Sequence, residues 1–157
     1  MTSRTIQAHC TSLDPPSLAH LHARGTAIAH CPLSNAYFSA APFPLREAIQ
    51  QSVTVGLGTD VAGGYSLDIM DVMRQAVITS RMREGAKMMA REKGTLQESE
   101  VGSLSIDWRE ALYLATRGGA LALSLPRGCG LFEKGAPFDV QCGQWPSILK
   151  SLHNAET

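Results

Sequence analysis

The sequence predicts an α/β fold built on a parallel sheet. Three short apolar runs alternate with helical periodicity in the order strand, helix, strand, helix, strand, long helix, helix. That alternation is typical of parallel strands joined by right-handed helical crossovers. The three strands lead to the polar residues His9, His30 and Asp60. Because the carboxyl ends of parallel strands share one edge, we expect these residues on one face, as on the catalytic rim of a (β/α) barrel.

The first strand and helix are predicted by local signals. Residues 5–8 form a strand-like run that ends at His9. Asp14 precedes two prolines, a pattern that favours a helix start because Asp can bond the first turn and Pro needs no partner there. Gly25 is expected to end this helix.

The second unit begins with a strand over residues 26–29, which leads to His30. Residues 31–35 are predicted as loop, because Pro32 cannot donate to a sheet and biases the preceding residue away from helix. A helix follows over residues 45–52, with apolar positions on one side.

The third strand, residues 53–57, is followed by Asp60 and by two glycines at 63–64. A long helix is predicted over residues 67–91, where acidic residues in the first turn suit the helix dipole. Its apolar side chains recur every three or four residues and are expected to pack in the core rather than to hold a cofactor. They include Met70, Met73 and Val77.

Further helices are predicted toward the C-terminus. Asp107 and Glu110 resemble a capping box that opens a helix, which the glycines at 118–119 are expected to end. Residues 120–125 then form a short helical turn, and residues 138–142 a final strand. A barrel needs eight strand-helix units and about 250 residues. With three units, either the native unit is larger than this chain or the sheet is open and its edge strands want a partner.

Composition limits the partners. The 157 residues include 14 basic and 14 acidic side chains, so there is no electrostatic footprint for nucleic acid or anionic lipid. We see no secretory leader and no apolar run of about 20 residues, and we expect an intracellular, cytoplasmic protein. The spacing of the four cysteines and the size of the chain predict that the cysteines are reduced thiols. The four are Cys10, Cys31, Cys129 and Cys142.

Each candidate site residue has two interpretations from the residues alone. Asp60 either bonds backbone N–H groups of its turn or the following helix, or ligates a metal and takes a proton from metal-bound water. His9 alone is a hydrogen-bonded structural residue or, paired with Asp60, part of a site. For His30 we favour a structural role, tying down its loop.

Three blocks resemble one family. They read A-H-C at 8–10, I-A-H-C-P-L-S-N at 28–35 and V-G-L-G-T-D-V-A-G-G-Y-S at 55–66. In order and spacing they resemble the C-terminal part of the guanine deaminase family of the amidohydrolase superfamily. The resemblance implies a zinc-dependent hydrolytic deaminase that converts guanine to xanthine and ammonia. It also implies strands 6 to 8 of a distorted (β/α)8 barrel over residues 1–137, the start of a small β domain over residues 138–157, and a homodimer.

The resemblance also implies roles for single residues. Asp60 matches the aspartate after the eighth strand, which binds the metal and handles protons. His9 matches the histidine after the sixth strand that orients the attacking water, and His30 and Asn35 match a seventh-strand segment that shapes the site. The family's remaining zinc ligands and its glutamate proton shuttle lie upstream of Met1. A catalytic zinc needs about three protein ligands. We therefore expect a fragment with little zinc affinity or turnover; the alternative is a non-catalytic binding or interaction module.

Overall fold

The computed structural model describes residues 2–39, 41–95 and 102–137. Within them the chain is an α/β structure, as predicted. Its elements are β1 (Ile6–Ala8), α1 (Pro15–Arg24), β2 (Ala27–His30), α2 (Pro32–Phe38), α3 (Leu45–Gln50), β3 (Val55–Leu57), α4 (Ile69–Glu92), α5 (Trp108–Tyr113), a π-helical turn (Leu114–Gly118) and α6 (Gly119–Ala122). The predicted strand at 138–142 lies outside the described residues.

The described strands form one parallel sheet in the order β1-β2-β3. Ala29 is the register partner of both Ala8 and Gly56, so the three strands run level with one another. The prediction of parallel strands with helical crossovers is confirmed. The consequence is that the chain leaves all three strands at the same edge of the sheet.

Two helix starts follow the predicted capping signals. The Asp14 carboxylate accepts a hydrogen bond from the backbone N–H of Ser17 at 2.9 Å, and Gly25 ends α1 with φ of 63°. At α5, the Asp107 side chain accepts from the N–H of Glu110, whose carboxylate accepts from the N–H of Asp107. These bonds satisfy donors that a helix start leaves without partners.

The loop predicted at residues 31–35 is wrong. Pro32 is instead the first residue of α2, where its missing N–H removes no helical hydrogen bond. The first turn of α2 is formed by the Asn35 N–H, which donates to the Cys31 carbonyl at 2.9 Å. The same proline chemistry is therefore compatible with a loop or a helix start, and here the helix start wins.

The glycines at 118–119 do not end a helix as expected. The chain continues from α5 through the π-helical turn into α6. Their role is close packing: a Cβ on Gly118 would collide with the Val55 carbonyl oxygen, and a Cβ on Gly56 would lie 2.9 Å from the Gly119 Cα. Helix and β3 therefore touch backbone to backbone.

The core lies between the sheet and the helices packed against it. Its fully buried members include Leu18 on α1, Ile28 on β2 and Phe43 before α3. The predicted core stripe on α4 is only partly present, because Met73 is buried but Met70 is 48% exposed. None of the described helices combines the length and apolar character needed to cross a membrane.

Two ion pairs fasten α3 to the later helices. Arg46 contacts both carboxylate oxygens of Glu110, at 2.6 and 3.0 Å. Arg83 does the same to Glu47, at 2.9 and 2.5 Å. Such two-point pairs fix orientation as well as proximity. They hold α4 and α5 against the helix that precedes β3.

Candidate functional site

Three polar side chains from three segments meet at the carboxyl edge of the sheet. His9 follows β1, Asn35 lies in α2 just after β2, and Asp60 follows β3. They line one open cavity of about 350 Å³. Its lining residues are His9, Thr11, Ser34, Asn35, Phe38, Ser39 and Asp60. The volume falls within the range of about 300–1,000 Å³ typical of small-molecule sites.

The backbone is strained where His9 and Asp60 leave their strands. Their φ angles are 65° and 53°, and Cys10 follows with 54°. Such left-handed conformations cost residues other than glycine about 1–3 kcal/mol each, and they cluster at functional sites. Both residues line the same cavity, so the backbone strain and the carboxyl edge of the sheet indicate the same candidate site.

A tight turn fixes the Asp60 backbone, and a glycine leaves room for its carboxylate. The Asp60 carbonyl accepts from the N–H groups of Gly63 and Gly64 at 2.7 and 2.6 Å. A Cβ on Gly63 would lie 2.5 Å from the Asp60 Oδ2. Residue 63 must therefore be glycine for the carboxylate to keep its place. No sequence signal beyond the paired glycines identified this role.

His9 sits between the other two polar groups. Its Nδ1 lies 2.9 Å from the Asn35 Oδ1, and its Nε2 lies 3.8 Å from the Asp60 Oδ2. The His9 and Asp60 side chains are 45% and 35% exposed, whereas Asn35 is buried. A ligand entering the cavity can therefore reach the His9 and Asp60 side chains. Asn35 contacts His9 from the buried side of the cavity.

His30 lies apart from this cavity. It shares a face of β2 with Ile28, is 2% exposed, and packs against the Phe43 ring at 5.0 Å between centroids. Burial, with smaller effects of Arg83 and His9, lowers the pKa of His30 to about 3. It is therefore neutral at physiological pH. Its predicted site-shaping role stays a prediction, and its Nδ1 makes no hydrogen bond among the described residues.

The described cysteines are free thiols, as predicted. Burial, and then the charge of Asp60, raises the pKa of Cys31 to about 11, and burial also raises the pKa of Cys10. Metals bind the thiolate. A metal that bound either sulfur would first have to displace its proton.

The residues present fit part of a zinc site and not a whole one. Two ligands of a tetrahedral zinc, each at about 2.0–2.1 Å, lie about 3.3 Å apart, so His9 Nε2 and Asp60 Oδ2, at 3.8 Å, would have to move closer to share one ion. Across the described ranges, however, no third His, Cys, Asp or Glu joins them. That falls short of the three ligands of a catalytic zinc.

The chain is similar to known proteins over most of its length. A family model described as "Amidohydrolase family" matches residues 1–142. The chain belongs to the amidohydrolase family. Human guanine deaminase is 38% identical over 139 residues, which cover 88% of this chain and 28% of that protein. The resemblance read from the three sequence blocks is thereby confirmed.

Solved structures place this amidohydrolase chain in the same group. A guanine deaminase from C. acetobutylicum with bound guanine has a TM-score of 0.64 and 26% identity, covering 84% of this chain and 28% of that one. An adenosine deaminase from Xanthomonas campestris with bound zinc has a TM-score of 0.65 and 28% identity, over 84% and 27%. The chain thus spans little more than a quarter of the length of the relatives it matches.

Proposed function

We propose that this chain forms the sector of a guanine deaminase barrel that carries strands 6 to 8, over residues 1–137. Residues 138–157 would begin a small β domain. The observation that carries the proposal is the meeting of His9, Asn35 and Asp60 in one cavity at the carboxyl edge of a parallel sheet. The relatives named guanine deaminase support the substrate, guanine, and the products xanthine and ammonia.

The roles of the two exposed groups follow from their chemistry. Asp60 presents a carboxylate that can ligate a metal or accept a proton, and the His9 Nε2 lies near enough to hold the same water. With a full ligand set, zinc would supply a water of lowered pKa for attack on the amino-bearing carbon. Because the described residues give at most two ligands, this function needs further ligands and purine contacts from residues outside the described ranges.

The purified 157-residue chain tests this division of labour. We expect much less than one zinc per chain by elemental analysis, and no xanthine formed from guanine. Stoichiometric zinc together with guanine hydrolysis would show that the chain alone is the enzyme. As a matched control, Asp14→Asn changes an exposed helix cap without loss of capping ability and leaves the site intact.

The alternative is a non-catalytic binding or interaction module that keeps the fold. The cheapest observation that separates the two is the genomic DNA just before the Met1 codon. An in-frame H-x-H followed by H-x-x-E there favours the enzyme, and their absence favours the module. For the complete enzyme we propose a cytoplasmic homodimer that binds neither nucleic acid nor membrane.

A further inference from the structure

The Asn35 side chain connects His9 to the interior of the protein. Its Oδ1 lies 2.9 Å from the His9 Nδ1. Asn35 is 6% exposed and lies in the first turn of α2, where its N–H is bonded to the Cys31 carbonyl. The backbone anchor and the burial restrict where its amide can point. Asn35 is therefore a rigid partner for a more exposed histidine.

With its oxygen toward His9, the Asn35 amide can only accept this hydrogen bond, so in this orientation the His9 Nδ1 carries the proton. A neutral imidazole has one N–H, and its other nitrogen then holds a free lone pair. We propose that Asn35 is a positioning residue that holds His9 as the Nδ1–H tautomer and leaves Nε2 as an acceptor facing Asp60.

The distance across the cavity agrees with this tautomer. A His9 Nε2–H beside a carboxylate would form a charge-assisted bond of about 2.7–2.9 Å. The separation from the Asp60 Oδ2 is instead 3.8 Å, as expected for two acceptors that face each other. A group that donates to both, or a cation, can occupy the space between them. That this group is the attacking water rests on the proposed function, whereas the tautomer does not.

Asn35 also lines a second cavity, of about 290 Å³, between α2 and α4. The Asn35 Nδ2 is buried and makes no hydrogen bond to any residue that the structure describes. His30 lines the same cavity, and its Nδ1 is likewise buried without a hydrogen bond to any described residue. Turned end for end, the amide would donate to His9 and reverse its tautomer.

The tautomer can be read directly from the ¹⁵N-labelled 157-residue chain. Long-range ¹H–¹⁵N correlation of the imidazoles at about pH 8.5, where free imidazole is neutral, separates Nδ1–H from Nε2–H. His22 is an internal reference, because its Nδ1 lies 2.9 Å from the Ser52 carbonyl oxygen and must donate. We expect the Nδ1–H pattern at both His9 and His22. An Nε2–H pattern at His9 would overturn the proposal.

Two variants separate positioning from packing. Asn35→Asp keeps an acceptor and should leave His9 as Nδ1–H, whereas Asn35→Leu keeps the bulk and should release it to Nε2–H. An unchanged Nδ1–H signal at His9 in a folded Asn35→Leu chain would contradict the proposal. The His22 signal reports folding in each sample, and if Asn35→Leu does not fold, the unsubstituted chain and Asn35→Asp decide. Since neither zinc nor guanine is added, failure here is distinct from failure of the proposed function.

Discussion

Gly118 is expected to be intolerant of any side chain, although alanine is the better helix former. The added Cβ would collide with the Val55 carbonyl oxygen and would lie 3.3 Å from the Tyr113 carbonyl oxygen. Both obstacles are backbone atoms that cannot swing aside. Gly118→Ala must therefore push the π-helical turn away from β3.

The size of the effect follows from two opposing contributions. Overpacking a well-packed contact costs about 1–3 kcal/mol. Replacing glycine by alanine within a helix returns about 0.5–1 kcal/mol. We expect a net loss of up to about 2.5 kcal/mol from Gly118→Ala. For a chain of this length each kcal/mol shifts Tm by about 2–4 °C, which gives a fall of up to about 10 °C.

The neighbouring glycine provides a matched control. The nearest atom to a Cβ on Gly119 is the Leu114 carbonyl oxygen at 3.8 Å, an ordinary contact. Gly119→Ala should therefore gain only the stabilisation of about 0.5–1 kcal/mol that alanine gives a helix, and should raise Tm by about 1–4 °C. Thermal unfolding followed by circular dichroism measures both variants. Equal Tm values for the two would refute backbone contact between the helix and β3.

Two further predictions concern the site and the ion pairs. Gly63→Ala should displace the Asp60 carboxylate by about 1 Å and change the NMR signals of the His9 ring, with little change in Tm. In a complete enzyme, the same substitution should lower kcat/KM about 100-fold. Unchanged His9 signals would contradict this prediction. The hydrogen bond from Arg46 holds the pKa of Glu110 below its ordinary value in the folded chain. The ion pair therefore stabilises the folded state fully above about pH 4.3, the ordinary value, and this stabilisation is lost as pH falls through the lowered pKa. The Tm difference between the unsubstituted chain and Glu110→Gln should therefore shrink from pH 7 to pH 3, and a constant difference would count against this ion pair.

The parts of the fold that depend on local chemistry could be predicted from the sequence. Asp14 and Asp107 each satisfy helix donors within three residues of themselves, so their signals do not depend on the rest of the fold. The parallel sheet follows from the alternation of short strands and helices. For the same reason, the strand ends that bring His9 and Asp60 together were predictable.

The parts that depend on tertiary contacts could not be predicted. Pro32 starts a helix rather than a loop, and local sequence allows either. Gly118 reads as a helix breaker until β3 is placed beside it. Nothing in the sequence shows that a side chain at position 63 would meet the Asp60 carboxylate, or that His30 packs against Phe43, because both are decided by side-chain directions across different elements.

The most direct test of the central claim places this chain in a complete relative. In human guanine deaminase, the segment matched over 139 residues would be replaced by the corresponding residues of this chain, and xanthine formation measured. The chimera carrying Asp60 should be active, and Asp60→Asn should lower its rate at least about 100-fold. Loss of a residue that only hydrogen-bonds to a metal ligand already lowers activity or metal affinity about 10–100-fold. Asp14→Asn should leave the rate unchanged. An Asp60→Asn chimera that forms xanthine as fast as the Asp14→Asn chimera would contradict the assignment of Asp60 to the catalytic centre.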